Sequence, residues 1–227
     1  MHGLEKGYAM LVAGVDDAGR GSVIGPLVIA GILIKGNDVD QLVELGVKDS
    51  KQLSSDRREQ LAKEIKNLVP KYHVIKLSPA EIDTVVRTGR KLYKLNRLEA
   101  QTMARVLTVL KPEIAYVDAS DVVADRFGIH VKENLDFRVK IISEHKADIK
   151  YPVVSAASII AKVERDDSIF KLKETYGDFG CGYPTDSKTL EFLEELIGRH
   201  GAYPDFVRRS WKTAKRMKQQ VSQTKLG

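Results

Sequence analysis

The sequence predicts an α/β protein in which helices flank a mixed sheet and a small helical region follows at the C-terminal end. Three observations carry this: short runs rich in β-branched residues, apolar stripes at helical spacing between them, and acids standing where runs end. Residues 12–15, 23–34 and 72–77 read as strands, the first two joined through a turn between Gly19 and Gly25. Ser54 or Ser55 then caps a helix whose Leu61, Ile65 and Leu68 share one face, and Pro70 stops it. Ser78-Pro79-Ala80-Glu81 joins a capping box to a proline at the first helical position, with Gly89 at the far end. Asn96 and Glu99 repeat the box for a longer helix that buries Leu95, Met103, Val106, Leu107 and Leu110 and ends at Pro112. Residues 114–117 form a short strand that delivers Asp118 at its end, and Phe137, Val139 and Ile141 alternate with Arg138 and Lys140 as an edge strand. A helix over 153–176 opens with Ser155, Ala156, Ala157 and Ser158, small enough to pack closely on a sheet. The glycine-rich stretch 177–184 suggests a boundary between a sheet domain, 1–178, and a helical region, 179–227, with helices over 187–197 and 205–220.

At 227 residues, 43% of them apolar, the chain can build one substantial core and is expected to be a globular monomer. No apolar stretch approaches the roughly 20 residues of a membrane helix. The run 23–34 is twelve residues long and holds Gly25, Pro26 and Gly31. Residues 1–8, with Glu5, Lys6 and two glycines, do not read as a signal peptide. A single cysteine, Cys181, excludes an internal disulfide and a multi-cysteine zinc site and suits the reducing cytoplasm. The net charge of +6 is uneven: residues 199–227 hold eight Lys or Arg against Asp205 alone, leaving about −1 for the rest. A near-neutral body with a basic arm suits a polyanion held by one part and processed by another. A solvated basic helix is the plainer alternative.

Asp16 and Asp17 stand side by side at the end of the apolar run Leu11-Val12-Ala13-Gly14-Val15. Adjacent acids repel each other and lose solvation where a strand meets a core, so a hard divalent cation such as Mg2+ is the natural partner, and its favoured substrates carry phosphate. Ligands of open α/β sheets gather beyond the carboxyl ends of strands, where Asp16, Asp17 and Asp118 are expected to meet. Gly19-Arg20-Gly21 is not a Rossmann fingerprint, because Ile24 stands where glycine is required and a strand follows in place of a helix. Two glycines around an arginine instead expose backbone polar groups to a sugar-phosphate chain. Lys48-Asp49-Ser50-Lys51 offers two ammonium groups and a hydroxyl as a phosphate clamp, and Asp148 adds an acid near the same sheet end. His145 is read either as a proton shuttle or as a hydrogen-bonded structural residue.

The segment Val15-Asp16-Asp17-Ala18-Gly19-Arg20-Gly21-Ser22-Val23-Ile24-Gly25-Pro26 resembles the N-terminal signature of type 2 ribonuclease H (ribonuclease HII), with an archaeal flavour. Further blocks match in order: Lys48-Asp49-Ser50-Lys51, Tyr116-Val117-Asp118, His145-Lys146-Ala147-Asp148, the run from Tyr151 to Val163, Gly182-Tyr183-Pro184 and Trp211-Lys212-Thr213. The resemblance spans nearly the whole chain. It implies an RNase H-like fold with a five-stranded sheet, a catalytic domain over 1–178 and a C-terminal helical substrate-binding region. It also implies an endonuclease that cuts the RNA strand of RNA/DNA hybrids and cleaves 5′ to ribonucleotides embedded in duplex DNA. Four acids carry that chemistry in the family, and by motif they fall on Asp16, Asp17, Asp118 and Asp148. Two divalent ions, Mg2+ or Mn2+, are implied between these carboxylates and the scissile phosphate, giving 5′-phosphate and 3′-hydroxyl products. Asp16 is expected to bridge the ions, with Asp17 and Asp118 completing the metal set and Asp148 joining when substrate is bound. Gly19, Arg20 and Gly21 match the family element that senses the ribose 2′-OH, and Tyr183 matches the tyrosine that packs on the following deoxyribose. Lys48, Ser50 and Lys51 are the remaining expected substrate contacts.

Two departures from the family pattern stand out. The family normally carries Glu where this chain has Asp17, one methylene shorter, which predicts retained activity with altered metal preference. Cys181 takes the place of a small polar residue. Gln223-Thr224-Lys225-Leu226-Gly227 starts like a sliding-clamp-binding peptide but lacks its two aromatics, so clamp binding is a secondary expectation. The competing functions are a catalytically silent hybrid-binding module and a different metal nuclease or phosphatase on the same acidic sheet. Retention of all four acids argues against the first, and Tyr183 with Gly19-Arg20-Gly21 argues against the second.

Overall fold

The computed structural model describes residues 9–47, 54–88 and 94–224. Its strands are Leu11–Ala18 (β1), Leu27–Lys35 (β2), Lys71–Leu77 (β3), Ile114–Asp118 (β4) and Lys140–Glu144 (β5), joined in one mixed sheet of order β3-β2-β1-β4-β5. The helices are Val39–Glu44 (α1), Ser55–Leu68 (α2), Pro79–Thr88 (α3), Lys94–Leu110 (α4), Ala124–Lys132 (α5), Ala147–Lys150 (α6), Pro152–Tyr176 (α7), Ser187–His200 (α8) and Lys212–Thr224 (α9). The chain forms two compact units. One comprises Met1–Asp16, Ala30–Val74 and Ala100–Ile160, the other Asp17–Ile29, Ile75–Glu99 and Ala161–Gly227. Among the described residues no helix is long and apolar enough to cross a membrane.

In the first unit β4 lies between β1 and β5, parallel to both. Strands covered on both faces read as continuous apolar runs, and Val12, Ala13, Val15, Ala115 and Val117 are accordingly buried. Close packing of α7 on β1 depends on Gly14: a Cβ there would stand 2.1 Å from the Val153 carbonyl oxygen. The small residues that follow, Ser155, Ala156, Ala157 and Ser158, are all buried, as their size predicts. Ser54 caps α2 by accepting from the Arg57 amide at 3.3 Å.

In the second unit Val23, Ile24, Ile169, Phe179, Leu193, Ile197, Phe206 and Val207 share a core. A smaller cluster of Leu27, Leu77 and Ile82 is flanked by Leu95, Leu98 and Trp211. The capping box at Ser78 forms reciprocally. The Ser78 amide donates to Glu81 Oε2 at 2.8 Å, and the Glu81 amide donates to Ser78 Oγ at 3.3 Å.

The structure differs from the sequence expectation at several elements. β2 begins at Leu27, because 23–25 pairs with a distant segment: Ile24 bridges Val207, and the Gly25 amide donates to the Phe206 carbonyl at 2.9 Å. The helix expected over 205–220 therefore starts only at Lys212, with Phe206, Val207 and Arg208 buried in a non-helical stretch of turns before it. β5 lies later than 137–141, since its register aligns Lys140 with Ile114, and Phe137 is covered instead by the Lys111 ammonium. Asn96 lies inside α4, so it does not cap that helix, and Gly89 falls outside the described residues. The short helices α1, α5 and α6 were not expected.

Gly14→Ala should lower unfolding stability by about 2 kcal/mol or more, because the new methyl meets backbone and not a movable side chain. A urea midpoint equal to that of the unaltered protein would refute the close contact.

Candidate active site

The β1–β4 register pairs Val12 with Ile114 through Val15 with Val117, so the next rung carries Asp16 and Asp118. Neighbouring strands are about 5 Å apart, and paired residues point to the same face. The β4–β5 register continues the row, setting Asp118 beside Glu144. Asp16 is 5% exposed, Asp118 half-buried. Asp118 Oδ1 accepts from the Ala147 amide at 2.7 Å, which brings the start of α6, and Asp148 in its first turn, up to the end of β4. Lys146, at φ 55°, makes the sharp entry into that helix, and the Asp148 carbonyl accepts from the Ser155 hydroxyl. The His145 ring Nε2 faces the Val122 carbonyl at 3.2 Å, the hydrogen-bonded arrangement of a structural histidine.

Glu144 is the acid of this row that sequence reasoning passed over. Hydrogen bonds from Lys150 and then Tyr151 hold its carboxyl below the usual carboxylate range. The same bond pushes the Tyr151 hydroxyl up to about 12, and the Tyr116 ring lies 4.3 Å from the Tyr151 ring. An all-carboxylate oxygen set fits a hard cation such as Mg2+ or Mn2+ and suits neither zinc nor copper preferences. Among the described residues no group of three His, Cys, Asp or Glu side chains is gathered into a finished metal cage.

Asp17 follows Asp16 on β1, half-buried, and belongs to the second unit with the turn beyond it. Gly19 has φ 85°, and a Cβ there would stand 2.8 Å from the Pro26 carbonyl oxygen, so only glycine makes this turn without strain. Arg208 holds it from beneath, donating to the carbonyls of Gly19 at 2.7 Å, Arg20 at 2.8 Å and Gly25 at 3.1 Å. Its guanidinium has no exposed surface and lies 4.9 Å from the Trp211 ring. Burial pulls Arg208 down to about 10, with Arg165 adding to the effect, so it stays charged at neutral pH. The Tyr183 ring lies over the Arg165 guanidinium at 4.8 Å, and a Cβ on Gly21 would meet that ring at 3.8 Å. The amides of Val23 and Ile24 donate to the Gly182 carbonyl at 2.8 and 3.1 Å, tying the two loops together.

Arg20 is gripped from α4: its Nε donates to Glu99 Oε1 and its Nη2 to Asn96 Oδ1, both at 2.8 Å. Glu99 is fully buried, and burial followed by the charge of Asp17 pushes it up to about 8 against the pull of Arg20 and Arg208. The expected contacts Gly19, Arg20, Gly21 and Tyr183 thus come together, as do Asp16 and Asp118 with Asp148 close by. Lys48, Ser50 and Lys51 lie outside the described residues. Sequence reasoning missed Arg165, Arg208, Asn96 and Glu99. The available signal for Arg208 was its setting between Phe206-Val207 and Trp211, an apolar frame unlike a solvated tail.

A family model described as Ribonuclease HII matches residues 13–214. Ribonuclease HII of Thermococcus sibiricus is 49% identical over 218 residues, covering 95% of each chain. The crystal structure of ribonuclease H2 from Pyrococcus horikoshii OT3 superposes with TM-score 0.86 at 45% identity, over 94% of this chain and 99% of that one. RNase HII of Archaeoglobus fulgidus, solved as a PCNA:RNase HII complex, gives TM-score 0.80 at 48% identity, over 89% and 96%. The fold is therefore that of the type 2 ribonucleases H. The chain belongs to the ribonuclease HII family, and its activity is that of an endoribonuclease hydrolysing phosphodiester bonds.

Because Glu99 binds its proton more tightly folded than unfolded, its contribution to stability is full below about pH 4.5 and lost as pH rises through about 8. Urea unfolding in metal-free buffer should show stability falling across that window. Glu99→Gln should flatten the fall, and equal slopes in both proteins would count against this account.

Proposed function

We propose that this enzyme hydrolyses the RNA strand of RNA/DNA hybrids and cleaves on the 5′ side of ribonucleotides embedded in duplex DNA, leaving 5′-phosphate and 3′-hydroxyl ends. The observation that carries the proposal is the run of β1, whose register with β4, continued one step past Val15 and Val117, sets Asp16 beside Asp118, and whose chain continues into the Gly19–Gly21 turn that lies against Tyr183. Two divalent ions, Mg2+ or Mn2+, would supply Lewis acidity to water and phosphate in the substrate complex. Asp16, Asp17 and Asp118 are the side chains that would hold them, with Asp148 completing the set. The chain's own work is then positional. Gly19 and Gly21 leave the turn without side chains, so a ribose 2′-OH can reach its backbone groups, the one feature that separates RNA from DNA sugars. Tyr183, backed by Arg165, presents a flat ring where the next sugar must lack that hydroxyl.

Lys48, Ser50 and Lys51 are proposed phosphate contacts, and Lys212, Lys215, Arg216 and Lys218 form an exposed basic face on α9 opposite buried Ala214 and Met217. In this division residues 1–178 carry hydrolysis and 179–227 hold the duplex, in a monomer acting in the cytoplasm. A sliding clamp is the protein partner proposed through the segment beginning at Gln223, as the Archaeoglobus relative was solved with PCNA. Retention on immobilised clamp supports that partner, and failure of retention removes it.

Incubation with a DNA duplex holding one ribonucleotide tests the main proposal. Mg2+- or Mn2+-dependent cutting 5′ to the ribonucleotide is expected, while equal cutting of an all-DNA control would overturn it. Asp16→Asn should lower the rate by on the order of 100-fold or more, as loss of a charge from the reacting centre does. Asp17→Glu should keep hydrolysis and Asp17→Asn lose most of it. Full activity in the Asn variant would remove Asp17 from the site.

A further inference from the structure

Asn96 and Glu99 stand one turn apart on a single face of α4, where residues three apart are neighbours. Both reach the same guanidinium, taking the Nε and Nη2 edge of Arg20 at 2.8 Å each. The Arg20 side chain is nevertheless 41% exposed, whereas that of Glu99 is fully buried. One edge of the arginine fork is therefore held from α4 while part of the side chain meets solvent, which leaves the end-on edge as the one not taken by Asn96 or Glu99. That edge matches two oxygens of a phosphate.

Glu99 is a poor device for stability alone. Its second oxygen, Oε2, is buried with no hydrogen-bond partner, and the negative charge of Asp17 opposes its ionisation. A buried carboxyl group satisfied at one oxygen is commonly less stabilising than an apolar residue of the same volume, and Leu95 and Leu98 of the same helix do pack into apolar surroundings. The residue makes better sense as a group that fixes the direction of Arg20.

We propose that Glu99, with Asn96, is a positioning residue that aims the end-on edge of Arg20 at a substrate phosphate next to the ribose sensed by the Gly19–Gly21 turn. The inference rests on the proposed function. Neither residue touches the reacting atoms, so their effect belongs in substrate binding and not in the chemical step.

The experiment is a double-mutant cycle of Glu99→Leu and Arg20→Ala on a DNA duplex holding one ribonucleotide. Glu99→Leu should raise KM about 10-fold with kcat within about 2-fold, the pattern of lost binding common to ground and transition states. Glu99→Gln, which keeps the acceptor, should restore KM to within about 3-fold of the unaltered enzyme. In the Arg20→Ala background Glu99→Leu should add nothing, and its thermal midpoint should be no lower than that of the unaltered enzyme. An unchanged KM in folded Glu99→Leu, or an equal increase with Arg20 absent, would overturn the clamp. Should Glu99→Leu fail to fold, Asn96→Ala enters the same cycle with the same outcomes. An unaltered enzyme that ignores the embedded ribonucleotide would sink the functional proposal and this inference with it. Normal cutting with additive variants sinks the inference alone.

Discussion

The guanidinium of Arg208, buried beneath the Gly19–Gly25 turn, is the interaction on which the conformation of the proposed recognition turn depends. Moving a cation out of water costs several kcal/mol, and a buried arginine is tolerated only when its donors are met. Here Nε, Nη1 and Nη2 each donate to a backbone carbonyl of the turn, and the flat face lies near Trp211. Those bonds fix the carbonyls of Gly19, Arg20 and Gly25 inward. The chain just before and after Arg208 is anchored as well: its own amide donates to the Val23 carbonyl at 2.9 Å, and Asp83 accepts from the amides of Arg209 and Ser210. A turn whose glycine permits many conformations is thereby held in one.

The placement of Asp16 and Asp118 at neighbouring strand ends was legible in the sequence because its cause is local. A short apolar strand ending in aspartate states both the direction of the strand and the chemistry at its tip, and parallel pairing then sets Asp16 beside Asp118. The supporting charges were not legible, for a physical reason. Counting Lys and Arg over 199–227 treats every cation as solvated, yet Arg208 is fully buried while Lys212 and Lys215 are exposed. Burial is decided by segments far apart in sequence, here the pairing of Ile24 with Val207, which also removes the first turns of the expected C-terminal helix.

The Asn96-x-x-Glu99 pattern misled in an instructive way. Asn three residues before Glu has the spacing of a capping box, and at Ser78 and Glu81 the equivalent pattern does close one. Inside α4 the same i, i+3 spacing aligns two acceptors along one helix face. That serves the fork of an arginine as readily as it serves a helix end. Only the position of the helix start distinguishes the two uses.

Arg165 and Arg208 are buried cations in one unit, with the buried carboxyl of Glu99 beside Arg20, and each is expensive to desolvate. What offsets them is the apolar platform around the turn. Phe179 lies 5.3 Å from Phe192 and 6.5 Å from Phe206, and the Tyr176 ring is 4.3 Å from that of Phe206. Dense aromatic packing excludes water, and hydrogen bonds in such surroundings are stronger than in solvent. The same low polarity that penalises the ions strengthens their hold on the backbone. On the proposed function the turn tells one sugar hydroxyl from a hydrogen, which needs a recognition surface with little freedom to adapt. A rigid turn, bound at its carbonyls by buried cations and rooted in an aromatic core, meets that need in a way that a lysine-rich solvated loop does not.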